Sequence, residues 1–339
     1  MKDKLAAGVY GSLMGVAVGD AMGMPSSLLS PGEIREQLGV ITGFLAAPPG
    51  HLTHAGLPAG SVTDDTGQTV AVAKAIIAEK GKVVPETIAG EILNWARQGG
   101  FLAPESMILG PSSRAALLQL GNGVPAAKAG MFGETNGAAM RISPVGLIHP
   151  GNVEGAVADT ELCCLPTHGT SVAISGAAAI SAAIATALTA DTSLAQIVTA
   201  AKRGADLGTA LGRRVAAPSI SRRIDWALGM IASGDEEGAA RDLYELVGTT
   251  VAITETVPVA MALLILAGGD PMKTALLAAN LGGDCDTVGA IACSIAGAYA
   301  GINAFPDPII EQIEEVNRLG LEDIARALTK IALQQVRDR

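Results

Sequence analysis

Residues 282–301, which read GGDCDTVGAIACSIAGAYAG, join an acidic loop to a run of very small residues. The run repeats at a strict spacing of four residues: Gly289, Cys293, Gly297 and Gly301. These residues share one face of a helix, and a face so small suits close packing against another backbone. The carboxylates of Asp284 and Asp286 are expensive to bury without a positive partner, yet the segment contains no Lys or Arg. Either a distant basic residue or a metal ion therefore has to neutralise them.

The N-terminal segment carries the same device. Its glycines also recur at three or four residues: Gly8, Gly11, Gly15, Gly19 and Gly23. Glycine costs helix stability, so a stripe of it predicts that another backbone lies very close. The helix is predicted to end at Pro25, and contact between the two small-faced helices is a hypothesis.

The composition favours packed helices over sheet. Of the 339 residues, 49% are apolar but only 3% are aromatic, so the core is built from Ala, Val, Leu and Ile. The net charge of −10 argues against general affinity for nucleic acid or anionic membranes, and no apolar run makes a convincing membrane span. Four scattered cysteines form neither a disulfide framework nor a zinc pattern. We therefore expect a cytoplasmic protein that binds neither nucleic acid nor membrane.

Apolar periodicity predicts helices along most of the chain and no sheet. The predicted helices cover roughly 66–80, 86–98, 112–120, 171–188, 194–209, 221–232, 237–247, 254–267, 271–280 and a charged stretch from about 307. Gly/Pro-rich loops separate them, notably 42–62 and 121–152. With no linker and no internal repeat, the chain is interpreted as one α-helical domain over 1–339.

A second acidic cluster, TDDT at 63–66, precedes one of these helices. Taken alone, it is typical of a helix start, because Thr and Asp are good N-caps and acids suit the positive end of the helix dipole. The GGDCDT loop has the same alternative reading. Together, however, the two clusters offer carboxylate and hydroxyl oxygens, which suit Mg²⁺, Mn²⁺ or Ca²⁺ better than zinc or copper. Four carboxylates in one cavity would repel without cations and could hold two ions.

The sequence resembles the ADP-ribosylglycohydrolase family, which includes the dinitrogenase-reductase-activating glycohydrolases. Six motifs in family order carry the resemblance: GDAMG at 19–23, TDDT at 63–66, NGAAMRISPVG at 136–146, THGTSVAISGAAA at 167–179, ETVPVAMAL at 255–263 and GGDCDTVGAIACSIAGA at 282–298. The resemblance implies an all-α orthogonal helical bundle with two Mg²⁺ ions, or Mn²⁺ in their place, in an acidic cleft. It also implies hydrolysis of the N- or O-glycosidic bond between ADP-ribose and an acceptor, which can be an ADP-ribosylated protein.

Matched position by position, the family pattern implies these metal ligands: Thr63, Asp64, Asp65, Asp284, Asp286 and Thr287. Asp65 and Asp286 are the implied catalytic residues. The implied substrate-binding residues are Asn136, Gly137, Ala138, Met140, His168 and Ser27. His168 can equally be a hydrogen-bonded histidine at a helix start, and Arg141 can equally serve a structural ion pair.

Ser27 is the main departure from the family pattern, because many relatives carry a glutamate there. A serine is no general base at neutral pH without a partner, so we expect slower turnover with binding retained. In a wet cleft, Ser27→Glu would change the melting temperature little. Glu255 is interpreted as a helix-start residue. Three loop histidines without ligand spacing are predicted to lie on the surface: His51, His54 and His149.

Two alternative functions remain open. The same fold and metals can serve a free nucleoside or small ribosyl metabolite, with the loop 44–60 shaping a smaller pocket. The protein can also be a non-catalytic metal- and ribosyl-binding relative, as Ser27 suggests. DCDT imitates the D-x-D-x-T signature of haloacid-dehalogenase phosphatases, but a helix end and glycine turn precede it here where that class has a strand. TDDTGQT likewise lacks the second acidic motif of isoprenoid synthases.

Overall fold

The computed structural model describes residues 2–232 and 235–338, and its regular structure there is helical without a strand. The all-α prediction is therefore confirmed. The helices, numbered α1 to α18 in chain order, are Lys2–Gly23, Pro31–Gln37, Asp64–Ala78, Pro85–Gln98, Pro111–Gly121, Ala126–Ala129, Gly137–Met140, Ser143–Leu147, Val153–Cys164, Ser171–Ala187, Leu194–Gly208, Ile220–Met230, Glu236–Asp242, Ile253–Leu266, Pro271–Ala279, Cys285–Ala300, Asp307–Asn317 and Leu321–Arg337. Short 3₁₀ turns cover Met24–Ser26 and Ile302–Ala304, and a π-helical turn covers Leu243–Val247.

Five of the described helices were not predicted from the periodicity: α2, α6, α7, α8 and α9. α2 begins with a capping box, in which the Ser30 hydroxyl accepts from the Glu33 N–H and the Glu33 carboxylate accepts from the Ser30 N–H. The spacing of Ser30 and Glu33 was a readable signal for it. α9, VEGAVADTELCC, mixes polar and small residues with no clear apolar face. The predicted loop 121–152 contains the short helices α6, α7 and α8.

Helices α1 and α16 form the central seam of the fold. A Cβ atom added at Gly15 would lie 2.1 Å from the Cys293 carbonyl oxygen, and one added at Gly297 would lie 2.0 Å from the Gly11 carbonyl oxygen. Only residues without a side chain allow the two backbones to touch in this way. The hypothesis that the two small-faced helices meet is confirmed.

The pairing of α1 with α16 is antiparallel. Gly11 lies against Gly297 near one end, and Gly19 lies against Gly289 toward the other. The C-terminal end of α1 therefore lies beside the N-terminal end of α16, where the GGDCDT loop begins. This register places Ser27, just beyond α1, next to the acidic residues of α16.

The remaining helices enclose this seam. α10 is buried over almost its whole length and packs against α9, α11 and α16, because its Ala, Ser and Ile side chains are small on every face. Among the described helices, one is long and apolar enough to cross a membrane, and that helix is α1. However, 83% of its most apolar stretch is buried inside the protein. The sequence had suggested no convincing span, and this burial agrees with a core helix.

Candidate metal centre

The two acidic loops meet at the end of the α1–α16 seam. Thr63 caps α3 by accepting a hydrogen bond from the Asp65 N–H, so the capping interpretation holds for this residue. The Thr63 hydroxyl also donates to Asp65 Oδ2 at 3.2 Å, and the Thr287 hydroxyl reaches the same oxygen at 3.4 Å. Residues 222 positions apart in the chain are thus in direct contact.

Asp20 organises the start of α3, a role that the sequence analysis did not assign. Its fully buried carboxylate accepts hydrogen bonds from the Thr63 N–H at 2.9 Å, the Thr66 N–H at 3.1 Å and the Thr66 hydroxyl at 2.5 Å. Burial raises its pKa to about 6, although the Thr66 donor works in the opposite direction. A carboxylate next to the glycine stripe of α1, within GDAMG, was the available signal.

Asp286 is held by a serine and a histidine. Its Oδ1 accepts from the Ser27 hydroxyl at 2.6 Å, and its Oδ2 lies 3.0 Å from His54 Nε2. Burial alone would raise the pKa of Asp286, but the hydrogen bonds and charge of His54 outweigh it and lower the pKa to about 2. For His54, burial opposes the charged imidazole, but the bond and charge of Asp286 raise its pKa above the usual value.

Two expectations about these residues were wrong. The loop histidines His51, His54 and His149 are all buried, because the segment 44–60 folds inward and because His149 bonds Asp159. Ser27 is only 2% exposed and its hydroxyl bonds Asp286, so it lies in the cavity wall with little access to water. The histidines were misjudged because metal-ligand spacing was the only criterion applied to them.

Asp284 is held from the other side of the site. Its Oδ2 accepts from Asn136 Nδ2, which also donates to the Thr256 hydroxyl at 3.0 Å, and its backbone N–H donates to the Thr249 carbonyl. Burial, followed by the charge of Asp286, raises the pKa of Asp284 well above its usual value. Glu255 accepts from the Thr250 N–H and hydroxyl at the start of α14, in agreement with its predicted helix-start role.

Negative charge exceeds positive charge at this site. Five carboxylates are buried there: Asp20, Asp64, Asp65, Asp284 and Asp286. Within the described residues, Arg141 is the one buried Lys or Arg side chain, and it donates to Gln68 and Thr167. Burial and the neighbouring Asp residues raise the pKa of Asp64 to about 7 and that of Asp65 well above its usual range. His54 and Arg141 together therefore leave most of the charge uncompensated.

The chemistry of the donors fits a hard divalent cation. Carboxylate and hydroxyl oxygens are the ligands that Mg²⁺ and Mn²⁺ prefer. Asp65 Oδ1 is buried and has no hydrogen-bond partner among the described residues, which is costly unless something positive approaches it. Among the described residues, no group of three or more His, Cys, Asp or Glu side chains is placed so that it could hold a metal ion by itself. The residues therefore fit the ion by donor type and by the free oxygen of Asp65.

A cavity of about 230 Å³ opens above the carboxylates. Its floor consists of the acidic residues and Thr287: Asp64, Asp65, Asp284, Asp286 and Thr287. Its walls include Ser27, His54, Asn136, Gly137 and Met140, and its rim carries the exposed apolar side chains of Leu28, Leu52, Met107 and Val251. In the described part of the chain, no Lys or Arg lines it.

Three of the residues singled out from the sequence lie outside the cavity lining. Thr63 lies just behind the floor and contacts Asp65. Ala138 is a fully buried residue of α7, and His168 is fully buried behind that helix, where it packs against Gly137. Burial, followed by the charge of Arg141, lowers the pKa of His168 well below its usual value, so this imidazole is neutral.

Comparison with known proteins gives a consistent result over the whole chain. A family model described as ADP-ribosylglycohydrolase matches residues 1–337. The chain is 36% identical over 329 residues to YegU of Escherichia coli, an uncharacterised protein, with 96% of this chain and 98% of that one covered. An uncharacterised protein of Archaeoglobus fulgidus is 33% identical over 325 residues, with 96% and 97% covered.

Two further matches are more distant. The ADP-ribosylarginine hydrolase Tri1 of Pseudomonas putida is 26% identical over 329 residues, which cover 94% of this chain and 78% of that protein. A solved structure of an ADP-ribosylglycohydrolase-related protein complex superposes with a TM-score of 0.71, at 24% identity, over 97% of this chain and 99% of the other. That likeness shows the fold.

Proposed function

Because the chain belongs to the ADP-ribosylglycohydrolase family, we propose that it hydrolyses the glycosidic bond at the anomeric carbon of a ribosyl group. The observation that carries this proposal is the meeting of both acidic loops on the floor of one cavity, with a buried carboxylate oxygen of Asp65 facing no partner among the described residues. In the overall reaction, water adds to the anomeric carbon and the leaving group takes a proton.

The residues proposed to hold Mg²⁺, as two ions, are Thr63, Asp64, Asp65, Asp284, Asp286 and Thr287, with Mn²⁺ as the alternative metal. When bound, such an ion acidifies water, positions ribose hydroxyls and stabilises negative charge. The proposal is supported by the surplus of buried carboxylates over buried cations. It is also supported by the absence, in the described residues, of a Lys or Arg lining the cavity.

The side chains of the floor divide the remaining work. Asp65 Oδ1 is the proposed acceptor of the proton that the attacking water loses, because it is the buried carboxylate oxygen of the floor that no described residue hydrogen-bonds. Asp286 stays ionised at neutral pH and offsets the positive charge that develops on the sugar in an oxocarbenium-like transition state. Ser27 and His54 orient it through both of its oxygens.

The first candidate substrate is an ADP-ribosyl group joined to an acceptor. It is favoured by the family and by the relative Tri1, whose name states that it hydrolyses ADP-ribosylarginine. The wall residues Asn136, Gly137 and Met140 would then lie along the ribose, and an ADP-ribosylated protein would be the natural partner.

A nucleoside or other small ribosyl compound is the second candidate, and the shape of the cavity favours it. Its volume of about 230 Å³ is below the roughly 300–1,000 Å³ of common ligand pockets. The exposed apolar rim of Leu28, Leu52, Met107 and Val251 suits an uncharged base better than a diphosphate. The proposal that the segment 44–60 makes the pocket smaller is supported by Leu52, Thr53 and His54, which line one side of this space.

A substrate panel tests the proposal. The purified protein with Mg²⁺ is incubated with ADP-ribosyl-arginine, ADP-ribosyl-serine, common nucleosides and common nucleotides. Mass spectrometry measures released ADP-ribose or ribose, and a phosphate assay measures released inorganic phosphate. We expect release from at least one substrate, lost in Asp65→Asn and kept in Asp323→Asn, which removes the same charge from an exposed position. Release of inorganic phosphate from nucleotides without cleavage of any glycoside would overturn the proposal. Ligand binding without any cleavage would identify a non-catalytic relative.

A further inference from the structure

A chain of buried polar side chains runs behind the cavity, and it starts at Asp64. Gln68 Nε2 donates to Asp64 Oδ2 at 2.9 Å, and Arg141 Nη1 donates to Gln68 Oε1 at 2.6 Å. The other guanidinium arm, Nη2, donates to the Thr167 hydroxyl. Gln68 and Thr167 are fully buried and Arg141 is 1% exposed, so water does not compete for these bonds.

The chain continues from Thr167 to the second acidic loop. The Thr167 hydroxyl lies 2.8 Å from His168 Nδ1, and His168 Nε2 lies 3.0 Å from the Thr135 hydroxyl. The residue after Thr135 is Asn136, which donates to Asp284 Oδ2. One path, buried from Gln68 to His168, half-buried at Thr135 and completed by the peptide link from Thr135 to Asn136, therefore joins Asp64 to Asp284. Together with the Thr287–Asp65 contact it closes a ring, here called the Arg141 ring.

The proton positions in the Arg141 ring follow from the chemistry of its members. Arginine only donates, so the Thr167 oxygen accepts from Arg141 and its own proton is free for His168 Nδ1. His168 must then carry its proton on Nε2 and donate it to Thr135. The low pKa of His168 agrees with this neutral tautomer. Buried bonds with fixed directions of this kind hold their members in one arrangement.

Gln68 lies where an arginine–aspartate ion pair would otherwise form. A guanidinium in direct contact with Asp64 would occupy both oxygens and compete with a cation for them. The interposed amide fixes one oxygen of Asp64 and keeps the charge of Arg141 one residue away. The carboxylate, which lines the cavity, thus stays oriented and available.

We propose that Gln68, Arg141, Thr167 and His168 are positioning residues, which hold Asp64 and Asp284 in the arrangement that binds the divalent metal. The assignment rests on the metal site of the proposed function. It gives His168 a supporting role in place of the substrate contact expected from the sequence. It also answers how two loops more than 200 residues apart stay aligned while their carboxylates repel one another.

Calorimetric titration of the full-length protein with Mg²⁺ and with Mn²⁺ at pH 8 tests the proposal. We expect Gln68→Met, which removes the donor to Asp64, to weaken metal binding by about 10–100-fold, the usual loss when an orienting partner of a ligand is removed. Thr167→Val breaks the ring at a residue that contacts no carboxylate, because Thr167 bonds Arg141 and His168. Its metal affinity should therefore fall by a factor at the lower end of that range.

Thr160→Val is the matched control for Thr167→Val. Thr160 is also fully buried and its hydroxyl also bonds twice, to the Ala156 carbonyl and to Ser181, but it lies outside the Arg141 ring. Thr167→Val should lose more thermal stability, because it leaves a buried guanidinium arm without an acceptor, and Thr160→Val should bind metal as the wild type does. Should Gln68→Met not fold, the two Thr→Val variants still decide the matter.

The outcomes separate this proposal from the proposed function. Equal metal affinity in the wild type, Gln68→Met and Thr167→Val would overturn the positioning role and leave the hydrolase proposal standing. Equal losses of metal affinity in Thr167→Val and Thr160→Val would show that the ring is ordinary core structure with no special role in positioning the carboxylates. Absence of metal binding by the wild type would overturn the metal site of the proposed function, and the positioning role with it.

Discussion

Replacing Asp64 by Asn should strengthen the metal-free fold while it weakens metal binding. Burial, followed by the charges of Asp286 and Asp20, raises the pKa of Asp64 from 3.8 to about 7. Because folding raises the pKa of this acid, the protein is most stable below about pH 4, where Asp64 is protonated in both states. The free energy of unfolding then falls as the pH rises from about 4 to about 7. Asn carries no charge and its oxygen can still accept from Gln68.

The magnitude follows from the change in pKa. At 1.36 kcal/mol for each pKa unit, the raised pKa of Asp64 lowers the free energy of unfolding by roughly 4 kcal/mol at pH 8, where the carboxylate is ionised in both states. At pH 5 it lowers that free energy by roughly 2 kcal/mol, because Asp64 must then take up a proton on folding. Unfolding entropy of about 2.1 cal/mol/K per residue makes 1 kcal/mol worth about 1.4 °C for a chain of this length. Asp64→Asn should therefore raise the metal-free Tm by about 6 °C at pH 8 and by about 2 °C at pH 5.

The assay is thermal unfolding with EDTA and with Mg²⁺ at both pH values. The wild type should gain about 2.7 kcal/mol, or about 4 °C, from Mg²⁺ at one hundred times its Kd at pH 8, and the variant should gain much less. Asp323→Asn, at an exposed site, is the charge control and should change neither quantity. A metal-free Tm of Asp64→Asn that is no higher than the wild-type value at pH 8 would refute the electrostatic account.

Further predictions concern the seam and the serine. In denaturant unfolding, Gly15→Ala should lower the free energy of unfolding by about 3 kcal/mol or more, since its Cβ would lie 2.1 Å from a carbonyl oxygen of α16. Gly90→Ala is the control: its Cβ meets open space, and it should raise the free energy of unfolding by up to about 1 kcal/mol because Ala favours the helix α4. Ser27→Glu should lower the metal-free Tm at pH 8, because a further carboxylate would face Asp286. Mg²⁺ should reduce that loss of Tm. An unchanged Tm would contradict the buried placement of Ser27. Ser27→Ala should lower the free energy of unfolding of the metal-free protein by no more than about 1–2 kcal/mol. It should also weaken the orientation of Asp286, measured as a lower kcat on the substrate that the panel identifies.

The glycine spacing and the acidic motifs were enough to predict the helical fold and the seam, because both depend on local periodicity and on the absence of side chains. The inward fold of His54 was not predictable in the same way. Its burial depends on where the segment 44–60 lies in space, and no local pattern encodes that. Asp20 and Gln68 were missed for a related reason: each acquires its role from a group distant in sequence, Asp20 from the backbone N–H groups of Thr63 and Thr66 and Gln68 from Arg141.

The α1–α16 seam also determines when the protein can fold during synthesis. Roughly 260 residues separate the end of α1 from the start of α16, so at 5–20 residues per second the ribosome needs tens of seconds to deliver the partner. Throughout that interval the glycine face of α1 lacks the backbone of α16, although α3, which also contacts α1, has already been made. The seam is consequently formed late, and the glycine stripe of α1 stays unpaired until residues 285–300 have left the ribosome.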